Sequence, residues 1–260
     1  MIRLFVNADD AGLAASTDDA ILACAEAGIV RCATVVANGR TAPAFVRRAR
    51  DAGLDLGLHF NLTEGVALGG PYATLTDGTG RFHGPKSEVW RRAAAGEFDG
   101  AEVEAEASAQ WERLRALGAE PSHVDGHNHV HLFPAARRFF GGCGGRPHCR
   151  IPLERIAPPG YLPAAFREWA LALGREARRT DRFTGYAFAR LPTAYVFLLC
   201  IPDGVATVEF MVHPGSRPGA PFASSPSRDR ERDALCLPVL REALDRYGIL
   251  PSRFADLPCA

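Results

Sequence analysis

Apolar runs of strand length alternate with amphipathic stretches along the first third of the chain. The apolar run at residues 2–6 predicts a buried first strand ending at residues 7–10, and Ser16 can cap a following helix that stops at Gly28. The same alternation predicts strands at residues 33–37 and 54–62 and a helix at residues 42–52. Strands that alternate with helices indicate a mainly parallel sheet, because parallel strands need crossover connections.

The rest of the chain continues this alternation less regularly. Strands are predicted at residues 122–125, 149–152, 183–188, 205–212 and 249–250, and helices at residues 101–117, 166–177 and 228–247. About seven strands with helical crossovers predict an α/β fold: a single (β/α) barrel-like domain over residues 1–260, closed or distorted. Residues 63–97 are rich in glycine and proline and predict an insertion over the active-site rim. The glycine-rich stretch from Gly141 to Gly145 replaces an expected helical segment.

The composition narrows the class of protein. Hydrophobic residues make up 47% of the chain and charged residues 23%, which is typical of a globular domain with a sizeable core. Thirty Lys and Arg residues balance thirty Asp and Glu residues, so no net charge favours nucleic acid or an anionic membrane as a partner. A neutral or zwitterionic small substrate fits this balance better than a polyanion does.

The cysteines and the apolar runs predict a cytoplasmic protein without a transmembrane segment. None of the seven cysteines forms a C-x-x-C pair, no signal peptide is recognisable, and the longest apolar runs are too short to cross a bilayer. We therefore expect reduced thiols. The alternative is a metal clip formed by Cys143 and Cys149 around the glycine-rich stretch.

A histidine cluster is the strongest chemical signal in the chain. Four of the eight histidines lie within nine residues, at His123, His127, His129 and His131. Neutral imidazole is the commonest metal ligand in proteins, so the cluster indicates a metal site. The strand should end near Asp125 and continue as a loop, which allows only one or two of these rings to reach one ion. The alternative is a polar loop whose histidines meet water or backbone.

Other candidate ligands stand where strands are predicted to end. They are Asp9 and Asp10 after the first strand, His59 in the third, Asp125 and His127 at the fourth, and His213 at a late strand. In a parallel barrel these ends share one rim. A His-His-Asp set leaves positions for water and a substrate oxygen on an ion that lowers the pKa of the water. The spare aspartate then serves as general base and a histidine as general acid. The alternative is that the Asp-Asp pair forms a helix cap or a turn, which is the more typical role of such a pair when no histidines accompany it.

The order of these motifs resembles one known family. The motifs N-A-D-D-A-G, G-L-H-F-N-L-T-E-G, H-V-D-G-H-N-H-V-H-L-F-P, R-I-P and M-V-H-P-G follow one another as in the YdjC-like carbohydrate deacetylases, which include the chitooligosaccharide deacetylases. The resemblance covers almost the whole chain. The segment T-D-R-F-T-G-Y-A-F further resembles the hopanoid-biosynthesis-associated branch of that family.

The resemblance implies a barrel-like hydrolase that removes N-acetyl groups from amino sugars with one divalent metal ion. It implies Asp10, His59 and His127 as metal ligands, Asp9 as catalytic base and His213 as general acid. Magnesium or zinc is favoured as the ion, with manganese, cobalt and nickel open. Three further residues are expected to orient ligands or contact substrate: Asp125, His129 and Arg150. For Arg150 an ordinary surface arginine is an equal alternative.

Two departures from the family pattern concern substrate fit. Ala11 stands where the family often has phenylalanine, and Asn128 where a second histidine is usual. The expected substrate is an N-acetylated sugar, oligosaccharide or glycolipid, and N-acetylglucosaminyl hopanoid if the branch is right. Transient membrane-surface contact and a homodimer remain open, and no nucleic-acid partner is expected. The alternatives are a hydrolase of another amide or a phosphoester, and a non-catalytic metal- or sugar-binding protein.

Overall fold

In the part of the chain that the structure describes, eight parallel strands form one curled sheet. The computed structural model describes residues 1–141, 147–155, 161–215 and 227–257. Within these ranges the strands are β1 (Ile2–Ala11), β2 (Cys32–Val35), β3 (Asp55–Phe60), β4 (His123–Gly126), β5 (His148–Cys149), β6 (Arg182–Thr184), β7 (Thr207–Val212) and β8 (Ile249–Pro251). Their order is β5-β4-β3-β2-β1-β7-β6, and β8 pairs with the start of β1. The predicted α/β barrel-like fold is confirmed, as a curled half-barrel.

Helices connect the strands and cover the sheet. The α-helices in the described residues are α1 (Ala15–Glu26), α2 (Ala42–Asp51), α3 (Lys86–Ala94), α4 (Gly100–Ala116), α5 (Arg137–Gly141), α6 (Ala164–Leu173), α7 (Tyr186–Arg190), α8 (Ala194–Leu199), α9 (Arg228–Leu235) and α10 (Pro238–Arg246). Apolar residues of these helices pack against one face of the sheet in a large core. A smaller apolar cluster of Phe5, Cys32 and Phe254 lies on the opposite face. None of the described helices combines the length and apolar character that crossing a bilayer requires.

Strand β1 lies inside the sheet and carries the first candidate ligands. Leu4, Phe5 and Val6 are completely buried, as expected for a strand covered on both faces. The strand runs on through the predicted end at residues 7–10 to Ala11. Its register with β2 shifts between residues 8 and 11, and Asp10 there has a φ of 66°. A straight strand would point the adjacent Asp9 and Asp10 to opposite faces of the sheet, whereas this irregularity lets both side chains line one cleft.

Three predicted elements were wrong in detail. The single helix at residues 228–247 is two helices, because Pro238 lacks the N–H that a continuous helix needs there. The strand predicted at residues 183–188 ends at Thr184, where Gly185 with a φ of 140° turns the chain into α7. Ser16 does not cap α1, since the cap position is Ala14 and it has no side-chain hydrogen bond.

The segment at residues 63–97 contains two isolated antiparallel bridges and helix α3. Glu102 and Glu106 of α4 hold it, because their carboxylates accept hydrogen bonds from the backbone N–H groups of residues 68, 69, 73 and 74. The glycine-rich stretch begins at Gly141 in α5, and the rest of it lies outside the described residues together with Cys143. Cys149, the other half of the predicted metal clip, is buried in β5.

Candidate functional site

Polar side chains at the ends of four strands meet at one edge of the sheet. They lie at the ends of β1, β3, β4 and β7 or directly after them, and they are Asp9, Asp10, His59, Asp125, His127 and His213. Parallel register explains this convergence: His59 lies opposite Asp125 across β3 and β4, and Ala8 lies opposite Val212 across β1 and β7. Groups that are distant in sequence therefore become neighbours at the carboxyl ends.

Asp10, His59 and His127 form a set of donor atoms suited to one metal ion. One ligand atom from each lies within 4.8 Å of the others. The Asp10 Oδ1 atom is 3.3 Å from His59 Nε2 and 2.7 Å from His127 Nδ1. Two imidazole nitrogens and one carboxylate oxygen are a common donor set for zinc and other divalent transition metals, with positions left for water. The residues present therefore fit a divalent ion in both chemistry and spacing.

Asp125 orients the His59 ring within this set. Its Oδ1 atom lies 2.6 Å from His59 Nδ1, and its Oδ2 atom accepts a 3.0 Å hydrogen bond from the Thr34 hydroxyl. A carboxylate on one ring nitrogen fixes the ring and leaves the other nitrogen free to face a metal. Burial alone would lower the pKa of His59, but Asp125 and Asp10 raise it to about 10. A metal ion that binds His59 Nε2 must therefore displace a proton.

Arg228 at the start of α9 is a site residue that the sequence did not reveal. Its side chain is buried, and Nη2 donates to Asp10 Oδ2, on the side away from His59 and His127. Burial would raise the pKa of Asp10, but Arg228 and His127 hold it well below its usual value. Arg228 belongs to a run of alternating charges, R-D-R-E-R, that is typical of a solvated helix face. No local signal distinguishes it from an exposed arginine of the same run such as Arg230.

Glu231 lies one turn after Arg228 and supports the other side of the site. Its Oε2 atom accepts a 2.6 Å hydrogen bond from the backbone N–H of His213. Residues three apart share a helix face, so α9 contacts both Asp10 and His213 with neighbouring side chains. Burial raises the pKa of Glu231 to about 7.

Arg150 joins three buried carboxylates beneath the candidate metal ligands. Nη1 and Nη2 bind the two oxygens of Asp9 at 2.6 and 2.7 Å. Nη2 is also 2.7 Å from Asp125, and Nε donates to Glu209 at 2.6 Å. The alternative of a surface arginine is wrong, because Arg150 is only 1% exposed. Asp9, His59 and Asp125 form a second possible ligand group, but both of its carboxylates are already paired with this guanidinium, which makes the group less suited to a cation.

Asp9 and His213 face each other beside the donor set. Asp9 Oδ2 lies 3.6 Å from His213 Nε2. Burial would raise the pKa of Asp9, but the Arg150 guanidinium holds it well below the ordinary value of an aspartate. Burial lowers the pKa of His213 to about 4, despite the opposing effect of Asp9 and Asp10. At neutral pH the pair is therefore a carboxylate beside a neutral imidazole.

The loop after β4 is held in an unusual backbone conformation. Asn128 and His129 have φ values of 54° and 60°, which non-glycine residues rarely adopt. The indole of Trp90 donates a 3.1 Å hydrogen bond to the Asn128 carbonyl, and His129 Nε2 pairs with the Tyr186 hydroxyl. His129 Nδ1 is buried and has no partner among the described residues. Strained backbone that surrounding contacts hold in place is common at functional sites.

The other two clustered histidines have structural contacts. His131 is completely buried and its Nε2 atom pairs with the Arg150 carbonyl at 3.0 Å. His123 Nε2 pairs with the side-chain oxygen of Asn7 at 3.1 Å. Gly126 allows the chain to fold back here, since a side chain at this position would lie 2.8 Å from the His131 nitrogen. Of the four clustered rings, only that of His127 reaches the donor set.

A cleft opens over the donor set, and part of its wall is aromatic. It is lined by the candidate ligands and by residues that the sequence did not single out: Lys86, Trp90, Tyr161, Tyr186, Ala189, Met211 and Arg228. Tyr186 is fixed through its backbone N–H, which donates to the buried carboxylate of Glu154 at 2.9 Å. The cleft therefore combines a charged floor with rigid apolar walls.

The half-barrel and its strand-end histidines and aspartates define an α/β protein with a candidate site for one divalent ion. A family model described as YdjC-like protein matches residues 3–246, and the chain belongs to this family. It is 32% identical to the carbohydrate deacetylase of Mus musculus, over 98% of this chain and 95% of the relative. It is 30% identical to the chitooligosaccharide deacetylase of Serratia marcescens, over 98% of both chains.

A solved structure shares the fold. A protein from Enterococcus faecalis V583, provisionally named for cellobiose-phosphate cleavage, superposes with a TM-score of 0.78 over 99% of both chains. The two sequences are 20% identical, so this similarity concerns the fold alone.

Proposed function

We propose that this protein is a metal-dependent hydrolase that removes the N-acetyl group from an amino sugar in a saccharide or glycolipid. The observation that carries the proposal is the convergence of Asp10, His59 and His127 beside the Asp9–Arg150 pair. The names of the mouse and Serratia relatives support a carbohydrate amide as the substrate class.

The donor set would hold the ion through Asp10 Oδ1, His59 Nε2 and His127 Nδ1. When bound, a divalent ion supplies a Lewis acid that polarises a carbonyl and lowers the pKa of water. Arg228 keeps the second Asp10 oxygen occupied, which leaves Oδ1 to face the two imidazoles. Zinc and magnesium are the first ions to test, and manganese, cobalt and nickel follow.

Asp9 and His213 would handle the protons. Asp9 Oδ2 would accept the proton of the attacking water, and Arg150 fixes that carboxylate in place. The Arg150 contact also makes Asp9 a weak base. Asp9 could therefore accept a proton only from a water molecule whose pKa a bound metal ion lowers. His213 is neutral at neutral pH and lies 3.6 Å from Asp9 Oδ2, so its Nε2 atom is placed to take up a proton. It would then deliver that proton to the leaving amine.

The cleft wall suits a sugar better than a phosphate ester. Trp90, Tyr161 and Tyr186 offer apolar ring surface against which a sugar ring can pack, and the polar groups of these three side chains are already hydrogen-bonded within the protein. Both arginines close to the donor set are paired with carboxylates, and Lys86, the other strong cation in the described lining, has its ammonium group 4.9 Å from the centre of the Trp90 ring. A phosphoester substrate would need several such groups.

The finer assignments extend this proposal. We take residues 1–260 as one domain, with residues 63–97 shaping the cleft, and the cytoplasm as its location. An N-acetylglucosaminyl hopanoid is the first glycolipid to test, because of the resemblance of the segment from Thr180 to Phe188. Such a substrate would require transient contact with a membrane surface. A homodimer is compatible with the proposal but is not needed for it.

The test is acetate release together with metal affinity. The metal-free protein is reloaded with each divalent ion and assayed against N-acetylated oligosaccharides and glycolipids. Asp9→Asn should abolish turnover and retain metal affinity, whereas Asp10→Asn should lose both. Asp51→Asn, at an exposed position in α2, is the matched control and should change neither.

Two results would count against the proposal. One is no acetate release with any ion and any substrate of the panel. The other is an Asp9→Asn variant with unchanged turnover of whatever substrate is found, which would remove Asp9 from the mechanism. Metal binding without turnover on any substrate would support a binding protein.

A further inference from the structure

Two cysteines that are distant in sequence lie side by side behind the site. Cys24 belongs to α1 and is completely buried, and Cys236 directly follows α9 and is partly exposed. Their sulfur atoms are 3.8 Å apart and within range of a thiol–thiol hydrogen bond. Helices α1 and α9 pack against each other, which brings the two thiols together.

This pair differs from the other thiols that the structure describes. Cys32, Cys149 and Cys200 are buried, and burial raises the pKa of each. In the pair, the hydrogen bond from Cys24 lowers the pKa of the Cys236 thiol, and the same bond raises that of Cys24. Cys236 therefore combines access from solvent, thiolate character and a second sulfur within reach, and these are the properties of a reactive cysteine.

We propose that Cys24 and Cys236 form an oxidative modification site, a dithiol that a hydroperoxide converts into a disulfide. The Cys236 thiolate sulfur attacks one peroxide oxygen, the O–O bond breaks, and a sulfenic acid forms while hydroxide takes up a proton to give water. Cys24 then loses its proton and attacks the Cys236 sulfur, so that the S–S bond forms and the S–O bond breaks, releasing a second water. Two thiols lose two electrons in total, and one hydrogen peroxide is reduced to two waters.

Formation of the disulfide requires the two sulfur atoms to move closer together. The sulfurs must close from 3.8 Å to the roughly 2.05 Å of a disulfide. Cys236 lies between the end of α9 and Pro238 at the start of α10, so its backbone is outside both helices. The bond would join α1 to α9, the helix whose Arg228 and Glu231 contact Asp10 and His213. A cross-link between residues so far apart in sequence restricts the unfolded chain strongly.

Peroxide treatment of the full-length reduced protein tests the proposal. The protein is exposed to hydrogen peroxide, alkylated and digested without reductant. We expect a cross-linked peptide containing Cys24 and Cys236, a mass loss of about 2 Da from two hydrogen atoms, and two fewer alkylated cysteines. The melting temperature should rise by several degrees and return after dithiothreitol.

Single variants separate the two roles. Cys24→Ser should leave Cys236 as a sulfenic acid that dimedone traps, whereas Cys236→Ser should leave Cys24 reduced. Cys200→Ser is the control, because it removes a buried thiol outside the pair and should keep the cross-link. Recovery of both wild-type thiols as free thiols, or of Cys236 as a sulfinic acid without cross-link, would overturn the proposal. Neither result bears on the proposed hydrolase activity.

Discussion

Replacing Arg150 with methionine removes the buried cation that pairs with Asp9, Asp125 and Glu209. The guanidinium is almost completely buried and lies 2.6 to 2.7 Å from oxygens of all three carboxylates. Removing one partner of a buried ion pair costs about 3–5 kcal/mol, because the remaining charge stays buried without compensation. Since a typical domain has about 5–15 kcal/mol of stability, Arg150→Met should be severely destabilised at neutral pH.

The loss should depend on pH in a defined direction. Without the guanidinium the folded-state pKa values of Asp9, Asp125 and Glu209 rise, and burial already raises that of Glu209 to about 7. Carboxyl groups with raised pKa values stabilise the fold at low pH, and that stability is lost as pH rises through the folded-state pKa. The deficit of Arg150→Met should therefore be smaller at pH 5.5 than at pH 8.

Urea denaturation at both pH values, followed by circular dichroism, measures this. Arg150→Lys is the variant to use if Arg150→Met does not fold. Lysine keeps the positive charge but cannot make the forked contacts, and we expect this variant to lose about 1.5–3 kcal/mol of stability. Arg48→Met is the control, because Arg48 pairs with Asp19 at the surface and should contribute at most about 1 kcal/mol. Equal stability of Arg150→Met and wild type at pH 8 would refute the reasoning.

Three further predictions concern the neighbouring groups. Asp125→Asn should weaken metal affinity by about 10- to 100-fold in calorimetry, because the carboxylate that orients His59 is lost; unchanged affinity would contradict this. Glu231→Ala should lower kcat by about tenfold, because the hydrogen bond from the His213 backbone N–H is lost. Glu231→Gln should keep most of kcat, since the glutamine side-chain oxygen can still accept this hydrogen bond. Equal effects of the two substitutions on kcat would point to packing alone. The pKa of His213 is lowered to about 4 in the folded protein from the ordinary 6.5 of a histidine. The contribution of the neutral His213 ring to the free energy of unfolding is therefore complete above pH 6.5 and is lost as the pH falls toward 4. His213→Asn should therefore lose less thermal stability than wild type between pH 7 and pH 4.5, and an equal acid sensitivity would argue against burial as the cause.

The sequence predicts the groups whose position follows from the strand pattern. Asp10, His59 and His127 stand at or just after strand ends, and parallel strands bring such ends to one edge. The prediction needed only strand direction and order, without side-chain detail. The sequence also predicted that the strand ends near Asp125 and that only one or two of the clustered rings can reach one ion. In the structure the chain leaves β4 at Gly126 and carries the later rings away from the donor set.

The supporting charges could not be predicted in the same way. Arg150 follows a two-residue strand in a poorly patterned region, and its burial depends on carboxylates that β1, β4 and β7 supply together. Arg228 lies in a helix whose charge pattern is that of a solvated surface. In both cases the deciding information is which elements pack together. The break at Pro238 is different, because a proline within a helical pattern is a local signal, and the single helix predicted over residues 228–247 did not take it into account.

The most direct test of the central claim is anomalous scattering from crystals soaked with zinc or cobalt, measured at the metal edge. We predict one strong peak within about 2.0–2.2 Å of Asp10 Oδ1, His59 Nε2 and His127 Nδ1, with water in the remaining positions. A peak bound by other residues, or no peak with the three side chains unchanged, would contradict a common metal site and remove the basis of the proposed hydrolase.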